Sequence, residues 1–241
     1  MCDLLDHTLR SVLRQDDEDF SVLLACHETP DTPSVKDPRV TILQTDCPIP
    51  TTFAEQMFDK HRKKRICTAE LKQRGGGYIM FMDADDMVSR RLVSYVRRRR
   101  SNSGYIITKG YQYNSMTQRY CRLLAFDKRC GSCGIFQFSV DDLPETPQEE
   151  RETFSDQFGT HTKWREVSRK FGRALEPIGF PSAVHVLETG ENASAIQPRS
   201  TRSGLVRVRR KLLETMRVRF LSRSVDDYFR NEFGIPWTPC R

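Results

Sequence analysis

Three acidic residues within four positions, Asp83, Asp85 and Asp86, close an apolar run in the segment YIMFMDADDMV, residues 78–88. Two carboxylates one residue apart in a tight turn can hold a hard divalent cation, and that ion can bridge phosphate oxygens. The same residues also read as a solvated acidic turn ahead of a helix starting near Ser89, since Asp is a good helix cap. Which reading holds depends on the elements that carry the turn.

The apolar run follows Gly75-Gly76-Gly77 and reads as a buried strand of a parallel sheet covered on both faces. Asp83 and Asp85 then stand just past its carboxyl end, where open α/β sheets place their ligands. The glycine triplet is no phosphate loop, because no Gly-Lys-Ser/Thr follows it. It serves instead to end a helix over Phe53–Gln73.

Ahead of that helix, the pattern predicts a short amphipathic helix over Thr8–Gln15. Strands follow over Phe20–Ala25, with Cys26-His27-Glu28 at its end, and over Val40–Leu43. A helix over Ser89–Arg100 comes after the acidic turn. Its last residues, Arg97 to Arg100, complement the helix dipole, and that explains the charge run without a partner. Further strands are expected over Tyr105–Tyr113, Cys121–Phe126, Ile135–Val140 and Ala183–Leu187. A basic amphipathic helix over Gly204–Leu221 packs on the domain, with membrane-surface contact as a second option. Strand–helix–strand alternation over the first hundred residues argues a doubly wound α/β sheet.

The 241 residues suffice for one domain with an appendage. No run approaches the ~18 apolar residues of a membrane span. MCDLLDHTLR lacks the basic-then-apolar layout of a signal peptide, so the expected location is cytoplasmic. The net charge of +7 is compatible with nucleic acid, anionic lipid or phosphate-bearing ligands. Eight cysteines are scattered too widely for a disulfide scaffold. Cys26, Cys67 and Cys121 read as reduced core residues. Cys130 and Cys133 form one CxxC, only half of a structural zinc site, for which Cys121 and His161 are the available recruits.

HTLRSVLRQDDEDFSVLLACHE, then Asp59-Lys60, then GGGYIMFMDADDMVSRRLV together resemble family 2 glycosyltransferases of the GT-A fold. The likeness covers roughly residues 7 to 96. It implies an α/β, Rossmann-like, mostly parallel sheet flanked by helices, with an α-rich C-terminal portion. The implied division is a transferase domain over 1–198, with a nucleotide-sugar half to about 115 and an acceptor half beyond it. A helical extension follows over 199–241. By this resemblance the acidic turn is a DXD motif. Asp85 then ligates Mn²⁺ or Mg²⁺, Asp83 contacts the ribose or the metal, Ala84 lies at the nucleotide sugar, and Asp86 lies there or caps the following helix. His161 is the candidate third metal ligand.

The implied activity is metal-dependent transfer of a sugar to an acceptor hydroxyl with inversion, which requires a carboxylate base. Glu191 in Gly-Glu-Asn is the preferred base over Asp142 and Glu188. The implied partners are a nucleotide-sugar and a glycan or lipid-linked acceptor, with peripheral contact at the inner membrane face and no nucleic acid. The chain departs from the family in two places. Family members usually begin with a strand ahead of the Thr8 helix, and they carry Asp where Cys26-His27-Glu28 stands. A non-catalytic GT-A-like binding protein is therefore the rival reading. A haloacid-dehalogenase-like phosphatase is a weaker one, because Met87 occupies the position where that family wants Thr or Val.

Overall fold

The computed structural model describes residues 2–187 and 221–235. In chain order these form α1 (Cys2–Leu13), β1 (Val22–Cys26), β2 (Val40–Gln44), α2 (Phe53–Gln73), β3 (Gly77–Met80), β4 (Met87–Val88) and α3 (Leu92–Arg99). Then come β5 (Gly104–Ile106), β6 (Lys109–Asn114), β7 (Arg119–Leu124), β8 (Gly134–Phe138), α4 (Trp164–Lys170), β9 (Glu176–Pro177) and β10 (Ala183–Leu187). The described chain ends with β11 (Arg223–Ser224) and α5 (Asp227–Phe233).

Local chemistry accounts for the element that leads into the acidic turn. Thr52 and Glu55 form a reciprocal capping box that starts α2. Its end is set by Gly75 and Gly76, both in the left-handed region at φ +88° and +79°. The Gly76 N–H donates to the Leu71 carbonyl at 2.9 Å. A Cβ on Gly76 would stand 2.7 Å from the Phe138 carbonyl oxygen. Only glycine meets both demands.

The strands form a mixed α/β arrangement in three sheets. β1 and β2 pair in parallel, β3-β8-β5-β9 form a second sheet and β11-β7-β6-β10-β4 a third. Among the described residues five of the eight pairings are antiparallel, so the arrangement is mixed and not specifically the mostly parallel sheet that the resemblance implies. Connection length is the reason at one place: four residues join β6 to β7, enough for a hairpin and too few for a parallel crossover. The single strand expected over Tyr105–Tyr113 is two strands, β5 and β6, in different sheets.

The larger core packs around Phe136, whose ring meets Trp164 edge-on at 5.1 Å and Phe158 at 4.3 Å. A smaller core lies under α5, where Phe229 stacks on Tyr120 at 3.8 Å and meets Tyr111 edge-on. Residues of the expected C-terminal extension thus pack on the same sheet as β6 and β7. The Gly204–Leu221 helix and Glu191 lie outside the described residues, apart from Leu221. Among the described residues no helix is long and apolar enough to cross a membrane.

Candidate functional site

Asp83 follows β3 by three residues, and the chain turns at Ala84-Asp85, with the Asp86 N–H donating to the Asp83 carbonyl at 3.2 Å. Three polar residues of the N-terminal segment hold this turn. Thr8 Oγ1 donates to the Ala84 carbonyl at 2.9 Å, and Ser11 Oγ accepts from the Val88 N–H at 3.2 Å. Gln15 donates from Nε2 to the Ser89 carbonyl and accepts from the Val93 N–H, both at 3.0 Å. The three-residue spacing puts Thr8 and Ser11 on one face of α1, and Gln15 follows just beyond its end. Ser11 and Gln15 thereby satisfy backbone groups of the buried residues Val88 and Ser89 that would otherwise be left unpaired.

Asp83 and Asp85 are only partly buried. Asp83 is ion-paired with Lys60 of α2, and its N–H donates to Ser132 Oγ at 2.9 Å. Burial, reinforced by the charges of Asp86 and Asp83, pushes the Asp85 carboxyl up to about 6. Ionised Asp85 is therefore a negative charge that its protein surroundings do not compensate.

Asp86 has a different environment. It is 1% exposed and does not cap α3, which is preceded by Arg91. Its Oδ2 accepts from Ser132 Oγ at 2.6 Å and from Cys130 Sγ at 2.9 Å. Its Oδ1 lies 3.2 Å from His185 Nδ1 and accepts from the Val186 N–H at 3.4 Å. Asp86, expected as a helix cap or a substrate contact, ties the turn to the CGSC loop and to β10. Burial opposes the charged His185 ring, but the bond to Asp86 and the acidic turn's charges outweigh it and raise its pKa.

Cationic groups border the turn on the α2 side. Lys64 lies over the rings of Phe81 and Trp164 at 5.1 and 5.0 Å. Burial, with Lys60 as a like charge nearby, pushes its amine down to about 8. His161 stands edge-on to Trp164 at 6.2 Å and senses the charge of Asp83. Its pKa is lowered chiefly by burial. The residue before Lys60 reaches the end of β1: Asp59 lies 3.3 Å from His27 Nε2 and 2.7 Å from Lys63 Nζ. Adjacent positions of α2 thus contact the residues that follow β1 and β3.

Asp142, one candidate base, closes a capping box with Ser139 and accepts from Arg173 Nη1 at 2.6 Å. That is a structural role. Glu188, like Glu191, lies outside the described residues. His185, Ser132 and Lys64 were not singled out as site residues from sequence, and Cys130 was read only as half of a CxxC zinc site with Cys133. The one available signal was a histidine at the centre of the apolar strand AVHVL. Two surface hollows, of about 430 and 290 Å³, are lined by Tyr78, Arg97, Arg100, Asn102 and Gln137, and by residues of α1 and α5. Neither includes the acidic turn.

The donors at Asp83 and Asp85 are carboxylate oxygens, which suit Mg²⁺ or Mn²⁺. A divalent cation there would offset the charge that holds Asp85 up, so the residues fit such an ion. Compared with known proteins, the chain matches no family model, and a search of curated proteins finds no match.

Proposed function

We propose that this chain is a glycosyltransferase that binds a nucleotide-sugar at the acidic turn with Mn²⁺ or Mg²⁺ and transfers the sugar to an acceptor hydroxyl. The carrying observation is the partly exposed Asp83/Asp85 pair after β3, with Asp85 uncompensated. The order of the Thr8 helix, the first strand and the D-A-D-D turn supports the same reading. A bound divalent ion would supply charge stabilisation for the departing diphosphate. Lys60 stands ready to exchange its partner Asp83 for phosphate oxygen, and Lys64 adds a second positive charge behind it. A glycan or lipid-linked acceptor is the proposed second substrate, with Glu191 as its base. His161 is the proposed further ligand to the ion, approaching from the α4 side.

Calorimetric titration of the chain with UDP, GDP and dTDP, with and without Mn²⁺, tests the donor site. Metal-dependent binding of one nucleotide is expected, and Asp85→Ala should abolish it. A folded chain that binds none of the three would overturn the transferase reading in favour of a non-catalytic binding protein.

A further inference from the structure

Asp86, Cys130 and His185 converge behind the acidic turn. One ligand atom from each lies within 4.8 Å of the other two. The sulfur is 2.9 Å from one carboxylate oxygen and the imidazole Nδ1 is 3.2 Å from the other. Zinc–ligand bonds of about 2.0–2.3 Å imply ligand–ligand separations of roughly 3.3–3.8 Å around a tetrahedral ion. To admit an ion, the sulfur–oxygen and nitrogen–oxygen pairs need to part by up to about 0.7 Å, and the sulfur and imidazole, within 4.8 Å of each other, need to close by no more than about 1.5 Å.

We propose that Asp86, Cys130 and His185 form a binding site for zinc, separate from the all-oxygen site at Asp83 and Asp85. Three observations support this assignment. The donor set of sulfur, imidazole nitrogen and carboxylate oxygen selects a zinc-class ion over Mg²⁺ or Ca²⁺. Charge balances: one carboxylate and one thiolate neutralise Zn²⁺, so a buried complex carries no net charge. An outer partner is already in place, because Ser132 Oγ donates to Asp86 Oδ2 at 2.6 Å and orients the carboxylate. Binding releases the Cys130 thiol proton and the His185 Nδ1 proton to solvent, Nε2 keeping its proton, and places the sulfur and Nδ1 lone pairs on the ion, with no redox change. The fourth position falls to solvent on the side of His185, whose side chain is 25% exposed. The ion would lock three segments together: the acidic turn, the CGSC loop and β10. Without metal the same groups form a hydrogen-bonded carboxylate, and the experiment separates the two states.

The test uses the full chain, stripped with chelator and titrated with Co²⁺, which reports thiolate ligation by a sulfur-to-cobalt charge-transfer band. One equivalent of Co²⁺ should produce the band, and one equivalent of Zn²⁺ should bleach it. Cys130→Ser should abolish it, while Cys133→Ser, Cys121→Ser and Asp85→Asn should retain it. His185→Asn should weaken binding by at least about tenfold; this variant keeps the test alive should Cys130→Ser not fold. A wild-type chain with native circular dichroism and no band overturns the proposal, as does a band that survives in folded Cys130→Ser. The site does not rest on the transferase reading, and nucleotide binding plays no part in the readout.

Discussion

Gly131 lies so close to the Asp83 carboxylate that a Cβ at position 131 would stand 2.8 Å from Oδ2. The obstructed atom ends a short side chain, and Gly131 is not among the positive-φ glycines. Gly131→Ala should therefore displace the carboxylate and spare the backbone. The expected result is a loss of at least about tenfold in Mn²⁺-dependent nucleotide affinity, ~1.4 kcal/mol, with an unchanged unfolding midpoint. Calorimetry and urea denaturation on the same variant check both halves.

Lys64 gives a pH dependence whose sign follows from its burial. Its folded pKa is about 8 against an ordinary 10.5. Between those values the unfolded chain holds a proton that the folded chain has released, so stability rises with pH across that window. Lys64→Met keeps an unbranched stem against Phe81 and Trp164 without the charge. Urea denaturation at pH 7 and pH 10 should show this rise in the wild type and a smaller one in the variant. At pH 7 the variant should be more stable by about 1–2 kcal/mol, the lost cation–π contact offsetting part of the gain.

Glu232 joins α5 to the segment after the acidic turn. Its Oε1 accepts from Ser89 Oγ and from Arg91 Nε at 2.8 Å, and the side chain is 6% exposed. Truncation strands the buried Ser89 hydroxyl and unpairs Arg91. Glu232→Ala should cost about 2–4 kcal/mol in chemical denaturation. Glu232→Gln, which keeps an acceptor, should cost less.

Phe229 is fully buried between Tyr111, Tyr120 and Phe233. Phe229→Ala should lower stability by about 3–5 kcal/mol. The whole chain should show this loss as a shift of its principal unfolding transition. An unshifted principal transition would mean that α5 is an appendage without a share in the core.

Much of the element pattern was readable from residue order alone. The capping box, the glycine triplet and the alternation of apolar runs are local signals, and α2, β2 and β10 fall where the pattern puts them. Thr8, Ser11 and Gln15 lie in the helical stretch legible from sequence, but their bonds to residues 84–93 were not legible. Hydroxyl and amide partners are chosen by which backbone groups burial leaves unpaired, and that is settled only when α1 docks.

By itself, then, the sequence determined the acidic turn, the strand that delivers it and the helices on either side, because turn chemistry and periodicity act over a few residues. Tertiary structure alone decided which of the three carboxylates face solvent. Asp86 meets Cys130 and His185 across 44 and 99 residues of chain, and no periodicity spans such distances. Sheet direction was decided there too, since β8 and β10 insert between strands that are distant in sequence. Pairing partners follow from which hydrophobic faces can be buried together, a property of the assembled layers and not of any one segment.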